Sequence, residues 1–210
     1  MKSSKKSKYI SKVKVRSSSE RKLHQPKPIA KKTIITSKKI DSEIEKISKD
    51  YKKIIFYTID TTSSFLEESN ITAIKMGFNL KTGEFIRLED FHDGKKEAFK
   101  IFSNDVEHFV SHNIKLSENI LNLNQRIQFC TMITNINIVE IKNSNGRNRW
   151  PKLLEVSKYY GIKSNNDLVL NNLNITKLTI QVFQKMLKHP KGSIYVRDFI
   201  FNNKSYKTEV

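Results

Sequence analysis

The sequence predicts a mixed α/β domain behind a basic tail, and two observations lead to this prediction. The first is the distribution of charge. Residues 1–40 hold 14 Lys or Arg and one acidic residue, a net charge of +13, whereas the other 170 residues hold 25 basic and 20 acidic residues and carry +5. The second is the order of the patterns: strand-like segments come first, and helices and strands then alternate, which is typical of a sheet covered by helices.

The basic tail is assigned to residues 1–50. It is rich in Ser and Lys, contains Pro26 and Pro28, and lacks a sustained apolar period. Such a segment buries too little apolar surface to offset its ordering entropy, so we predict that it is disordered. Its charge favours a polyanion-binding arm over a solubilising one. Nucleic acid is the expected polyanion because phosphate contacts release counterions, although an acidic membrane surface or a nuclear import signal would use the same charges.

The first part of the domain is predicted to be a strand followed by a hairpin. Residues 53–60 form an apolar strand that ends at Asp60, and residues 41–52 before it are predicted to be a short helix. Strands are also predicted over 71–80 and 84–91. Lys81, Thr82 and Gly83 between them supply a short turn, with glycine available for a positive φ.

The second part alternates between helices and strands. The helix over 151–161 has Pro151 in its first turn and Gly161 at its end. The other predicted elements are helices over 98–107, 114–124 and 174–189, strands over 108–113 and 126–132, and an edge strand over 193–203. This organisation divides the chain into the tail, a domain at 51–190 and a C-terminal extension at 191–210.

Composition also limits the cellular setting. No secretory h-region follows Met1 and no apolar run approaches the length of a membrane span. The single cysteine, Cys130, excludes an intramolecular disulfide and fits a reducing environment. We therefore expect an intracellular protein without a membrane partner, in either the nucleus or the cytoplasm.

Several short motifs occur in a distinctive order. The strand "IIFYTID" ends in Asp60, Thr61 and Thr62, and "VSHNIKLS" runs from Val110 to Ser117. Further along are "FCTM" (129–132), "GRNRWPKLLEV" (146–156) and "LNNLNITKLTIQVF" (170–183). Together these segments resemble the DEDD superfamily of 3′–5′ exonucleases, in particular members from large DNA viruses. The resemblance covers about residues 53–190 and implies an RNase H-like sheet flanked by helices.

The resemblance also implies that this chain lacks most of the family's catalytic groups. Family members bind two divalent metals through four carboxylates and use a histidine as general base. Asp60 matches the first carboxylate, whereas the other four positions fall on Thr62, Ser117, Leu170 and Ile175. Hard cations require oxygen ligands, and Leu or Ile can neither ligate nor accept a proton. The resemblance therefore implies a degenerate site, in which Asp60 alone would hold Mg²⁺ weakly.

Three functions follow from these features. The preferred one is a protein with an inactive exonuclease domain and no cofactor that binds nucleic acid, DNA or RNA, through its basic tail. Within the domain, the vestigial cleft would add contacts from Lys115, Arg147, Arg149 and Lys152. The second is an active exonuclease that uses Mg²⁺ or Mn²⁺ and ligands relocated to Glu118, Asp167, Glu67 or Glu68. The third is an adaptor whose domain docks a protein partner. Of the remaining candidates, His112 is expected to be structural and Trp150 to pack at the start of a helix.

Overall fold

The computed structural model describes residues 50–60, 69–163 and 171–207. Its sheet is built from strands β1 to β5, with bounds β1 Tyr51–Ile59, β2 Ile71–Asn79, β3 Phe85–Gly94, β4 His108–Ser111 and β5 Ile127–Cys130. Their spatial order is β3-β2-β1-β4-β5. β1 pairs with β2, and β2 with β3, in antiparallel fashion, whereas β1 with β4 and β4 with β5 are parallel. Within this sheet β2 alone runs against the others, and β1 lies at the centre.

Seven helices accompany the sheet in the described residues. Their bounds are α1 Lys96–Phe102, α2 Ile114–Leu121, α3 Thr131–Thr134, α4 Ile136–Val139, α5 Leu153–Tyr159, α6 Asn172–Lys188 and α7 Pro190–Phe201. None of these helices combines the length and the apolarity that a membrane span requires. The predicted tail, residues 1–49, lies outside the described residues.

Alternating side chains of the central strand feed two hydrophobic cores. Ile54 and Phe56 of β1 face one core, to which α5, α6 and α7 contribute, including Val156, Phe183 and Phe199. Ile55 and Tyr57 face the other core, which includes residues from α1 and the end of α2. All four of these β1 side chains are fully buried. Because successive side chains point to opposite faces, the sheet is covered by helices on both sides, and the predicted mixed α/β class is confirmed.

The predicted hairpin between the second and third strands is present. Gly83 adopts a φ of +73°, the left-handed conformation that glycine tolerates best. The side-chain oxygen of Asn79 accepts hydrogen bonds from the backbone N–H groups of Lys81 and Thr82, which closes the turn.

The structure corrects two predicted elements, one before the predicted domain and one after it. Tyr51 and Lys52, predicted to end a helix, begin β1 instead, where Tyr51 pairs with Asn79. The edge strand predicted over 193–203 is wrong, because Pro190–Phe201 form helix α7. Helix formation is favoured there by Pro190 in the first turn and by the apolar spacing of Val196, Phe199 and Ile200, all buried in the α5–α7 core.

The sheet contact predicted for the C-terminal segment occurs a few residues later. The Tyr206 backbone N–H donates to the Gln128 carbonyl at 2.7 Å, and the Cys130 N–H donates to the Tyr206 carbonyl at 2.8 Å. Residues of the predicted extension therefore pack into the same core as the strands and also bond to β5.

Candidate nucleic-acid interface

A cavity of about 340 Å³ opens at the carboxyl ends of β1 and β4. Two parallel neighbouring strands end here, which is where ligands commonly bind in α/β sheets. Its lining comes from β1, from the β4–α2 junction, and from the first turns of α5 and α6: Thr58, Ile59, Ser111, His112, Asn113, Ser117, Lys152, Leu153, Leu154 and Ile175. None of these lining residues is acidic, and Lys152 is the one with a permanent charge.

Ser117 faces the interior beside this cavity and is 2% exposed. Its hydroxyl donates to the Ile114 carbonyl at 2.9 Å and lies 2.8 Å from the Tyr57 hydroxyl. Because the single Ser117 proton goes to Ile114, the Tyr57 hydroxyl donates to Ser117 Oγ. Burial raises the pKa of Tyr57, so this pair is neutral. The Ser117 hydroxyl is thus committed to hydrogen bonds within the protein.

Ile175 reaches the cavity because the first turns of α6 lie over the carboxyl end of β1. The neighbouring Thr176 hydroxyl donates to the Asn172 carbonyl at 2.8 Å and lies 3.0 Å from Thr58 Oγ1. Helix α6 itself starts with an N-cap, in which the Asn171 side chain accepts from the Asn174 N–H. The structure therefore brings Ser117 and Ile175 together at one cavity.

The remaining predicted catalytic positions are only partly described. Asp60 follows β1 directly, is half-buried, and its backbone N–H donates to the Asn70 carbonyl at 2.9 Å. Asp60 is thus one residue beyond Ile59, which lines the cavity. Thr62 and Leu170 lie outside the described residues, as do Glu67, Glu68 and Asp167.

The described residues do not fit a two-metal site. Glu118, one of the candidate relocated ligands, forms an ion pair with Lys207, with Nζ and Oε1 2.6 Å apart. No group of three or more His, Cys, Asp or Glu that could hold a metal occurs within residues 50–60, 69–163 and 171–207. Ser117 and Ile175 offer a hydrogen-bonded hydroxyl and an alkyl chain where a divalent cation requires charged oxygens.

His112 is held by two hydrogen bonds at the cavity wall. Its Nε2 lies 3.1 Å from the Pro151 carbonyl and its Nδ1 lies 3.0 Å from the Thr131 hydroxyl. A carbonyl can only accept, so Nε2 carries the proton and Nδ1 accepts from Thr131 in the neutral ring. Burial lowers the pKa of His112 to about 4. With both nitrogens occupied, His112 links β4 to the segment before α5.

Basic and aromatic side chains flank the lining residues on two segments. Lys152 precedes α5, and Lys115 lies in the first turn of α2, with its Nζ 5.5 Å from the centroid of the Trp150 ring. This is a cation–π distance. Trp150 is 46% exposed, so the predicted packing role accounts for only part of the ring. Arg147 is exposed on the same segment as Trp150. We refer to Lys115, Arg147, Trp150 and Lys152 as the basic rim.

Arg149 is engaged differently from its neighbours. Its guanidinium binds the Glu155 carboxylate through two contacts, at 3.0 and 2.5 Å. Glu155 also accepts from the Lys152 backbone N–H at 2.7 Å, which ties down the start of α5. The hydrogen bond from Arg149 holds the pKa of Glu155 below its usual range. Arg149 was predicted to contact nucleic acid, but its charge is neutralised within the protein.

Comparison with protein-family models, with curated proteins and with solved structures finds no match.

Sequence reasoning missed part of the cavity wall. Leu153 and Leu154 line the cavity from the first turn of α5, whereas the sequence indicated only that they belong to a helix. The Lys115–Trp150 contact joins positions 35 residues apart, and no local pattern marks such a pair. The order of the motifs was the signal that placed Ser117 and Ile175 at a common site.

Proposed function

We propose that this protein binds nucleic acid at the cavity and its basic rim, and that its domain is a degenerate, catalytically inactive 3′–5′ exonuclease domain. The observation that carries the proposal is the chemistry of the cavity. Ser117 and Ile175 lie at the wall where the resemblance places carboxylates, and Lys152 lines the same cavity. Lys115 adds a second cation at the rim, next to Trp150. A cleft with this charge attracts a phosphate backbone, whereas one lined by carboxylates repels it unless metal ions are bound.

The order and direction of the strands support an RNase H-like fold within this proposal. The resemblance implies a first strand that ends at the catalytic aspartate, then a hairpin, then a strand followed by a helix, and finally a closing helix. The chain has β1 ending beside Asp60, the β2–β3 hairpin, the β4–α2 unit and α6 in that order. The expected cleft and the observed cavity also coincide at the carboxyl end of β1.

The rim suits a single strand in particular. The half-exposed Trp150 ring offers a face on which a base can stack, and such stacking tolerates any base sequence. Lys115, Arg147 and Lys152 can contact phosphates on either side of that base. Double-stranded nucleic acid keeps its bases stacked on one another, so the Trp150 ring would find no free base and only the phosphate contacts would remain.

The test is a titration of a labelled single-stranded oligonucleotide with the full chain, followed by fluorescence anisotropy. The rim variant carries Lys115→Gln, Arg147→Gln and Lys152→Gln. We expect its Kd to rise by at least about tenfold. Its salt dependence should fall by about 2 units of log Kd per log unit of salt, because each phosphate that the variant no longer neutralises accounts for about 0.7.

The control variant carries Lys81→Gln, Lys185→Gln and Arg197→Gln, which remove the same charges elsewhere. Lys81 lies in the hairpin turn at the opposite end of the sheet. Lys185 lies ten residues after Ile175 on α6, about 15 Å along the helix at 1.5 Å per residue. Arg197 is exposed on α7. If the control loses as much affinity as the rim variant, binding is a general effect of charge and the proposed interface is wrong.

A further inference from the structure

A second cavity, of about 310 Å³, lies between α1 and the segment that joins α2 to β5. One wall is the face of α1 that carries Lys96, Phe99 and Lys100, and the other is formed by Leu121–Leu123 and Arg126. It shares no lining residue with the cavity at the ends of β1 and β4. A ligand of this second cavity would therefore not occupy the proposed nucleic-acid interface.

The charge of this second cavity is strongly positive. Lys96, Lys100 and Arg126 line it together with a single acid, Glu97. None of the three cations forms an ion pair with a carboxylate of the described residues. The acid that follows α1, Asp105, is occupied by Lys53 and Lys75. Three cations thus face one recess that contains a single carboxylate, that of Glu97.

The cations at this cavity repel one another in the absence of a bound anion. Lys96 and Lys100 are four residues apart on α1 and so lie on the same side of the helix, where like charges repel. Arg126 adds a third positive charge from the opposite wall. Cations that converge on a recess with apolar walls raise the local concentration of anions. A bound anion would relieve the repulsion of all three groups together.

The shape and chemistry of the cavity indicate which anion. The half-buried Arg126 has a planar guanidinium that can donate two parallel hydrogen bonds to a phosphate. The recess is larger than a lone ion requires, and its floor is apolar, formed by the buried Phe99, Leu121 and Leu123. Asn122, exposed and left-handed with φ +52°, adds an amide at the edge. A phosphate carried by a sugar and base would match both the charged and the apolar parts.

We infer that Lys96, Lys100 and Arg126 form a binding site for the phosphate group of a nucleotide. Two sources can supply this chemistry, a free nucleotide with a terminal phosphate or the backbone of an oligonucleotide. The site lies beyond the proposed function and does not depend on it, because neither the lining residues nor the charges are shared with the basic rim.

The test is an NMR titration of the full chain, which reports on this cavity separately from every other basic segment. The Arg126 Nε–Hε signal and the Asn122 side-chain amide signals are followed while a nucleoside monophosphate, a single-stranded oligonucleotide or a nucleoside without phosphate is added. We expect both sets of signals to shift with at least one of the two phosphate-bearing ligands and to stay in place with the bare nucleoside. Shifts with the mononucleotide alone identify a free nucleotide, and shifts with the oligonucleotide identify the backbone.

The variant with Lys96→Gln and Lys100→Gln retains Arg126 as the reporter and should weaken binding, as measured by these signals, by about tenfold or more. The Lys81→Gln/Lys185→Gln/Arg197→Gln control, which removes one more charge, should bind as the wild type does. The inference is overturned if neither phosphate ligand shifts the Arg126 and Asn122 signals, if the bare nucleoside shifts them equally, or if the two variants bind alike. Because oligonucleotide affinity at the basic rim is measured separately, failure of one proposal leaves the other standing.

Discussion

The Tyr57 hydroxyl lies 2.8 Å from Ser117 Oγ, and the Ser117 hydroxyl in turn donates to the Ile114 carbonyl. This chain of two hydrogen bonds links the central strand to the first turn of α2 at the wall of the cavity. Both side chains are buried, so the Tyr57 hydroxyl depends on Ser117 for its hydrogen bond, whereas Ser117 also bonds to Ile114. Ser117 thus contributes to folding through these two hydrogen bonds.

Replacement of Ser117 by Ala should destabilise the protein. The substitution leaves the buried Tyr57 hydroxyl without its acceptor, which costs about 1–3 kcal/mol. Tyr57→Phe should cost less, about 0.5–1.5 kcal/mol, because Ser117 keeps its bond to Ile114. Urea unfolding followed by circular dichroism measures both. In the double variant the two costs should not add, since the unpaired hydroxyl is gone; additive costs would show that the two side chains are energetically independent.

Glu155→Gln should strengthen oligonucleotide binding. The substitution removes the carboxylate that neutralises Arg149 and leaves an additional cation beside the basic rim. We expect a lower Kd and a salt dependence steeper by about 0.7 units, the contribution of one phosphate contact on a single strand. Glu84→Gln, in the hairpin at the far end of the sheet, removes an equivalent charge and serves as the control. Equal effects of the two substitutions would show that Arg149 gains no contact.

The stability of the protein should fall as the pH is lowered from about 6.5 to 4, in part because of His112. The folded protein keeps this ring neutral until its pKa of about 4, whereas the unfolded chain takes up the proton near pH 6.5. The unfolded state therefore binds more protons in this interval, and the difference amounts to about 3 kcal/mol. His112→Gln, which does not titrate, should show a correspondingly shallower loss in urea unfolding series. If the stability of the variant and of the wild type fell in parallel with pH, the His112 ring would not be neutral with a hydrogen bond at each nitrogen.

Gly192→Ala should be strongly destabilising, because α6 and α7 meet closely at their junction. A Cβ at position 192 would lie 2.8 Å from the Met186 carbonyl oxygen and 3.1 Å from its Cα. Backbone atoms cannot move aside as a flexible side chain can, so we expect a loss of about 2–3 kcal/mol in thermal or urea unfolding. The neighbouring exposed Lys191→Ala should change stability by less than about 0.5 kcal/mol. A Gly192→Ala variant as stable as the Lys191→Ala control would contradict the close packing at this corner.

The strands of the first half could be predicted because their patterns are local. The apolar run of β1 and the glycine-containing turn after β2 each indicate one element without help from distant residues. The C-terminal segment was harder, since "SIYVRDFIF" is rich in β-branched and aromatic residues that favour strands. Two local signals pointed to a helix, Pro190 at its start and the spacing of Val196, Phe199 and Ile200. The burial of these three side chains against Phe129 and Phe183 is a tertiary effect that the sequence does not display.

The sequence predicted where residues of the candidate site lie, but not which charged side chains pair with one another. Motif order placed Ser117 and Ile175 beside the end of β1, as the cavity lining shows. The ion pair of Arg149 with Glu155 and that of Glu118 with Lys207 depend on how α5 and the C-terminal segment fold back. These two pairs decide which charges are available to a ligand. A count of charges along the sequence cannot distinguish paired side chains from those that are available to a ligand.

The central claim, that the cleft binds without cutting, is tested most directly by incubating a 5′-labelled single-stranded oligonucleotide with the purified full chain in Mg²⁺ or Mn²⁺ and resolving the products on a gel. We predict that the oligonucleotide stays at full length, and that wild type and Asp60→Ala give identical lanes. A ladder of shortened products that chelator abolishes and Asp60→Ala removes would contradict the account.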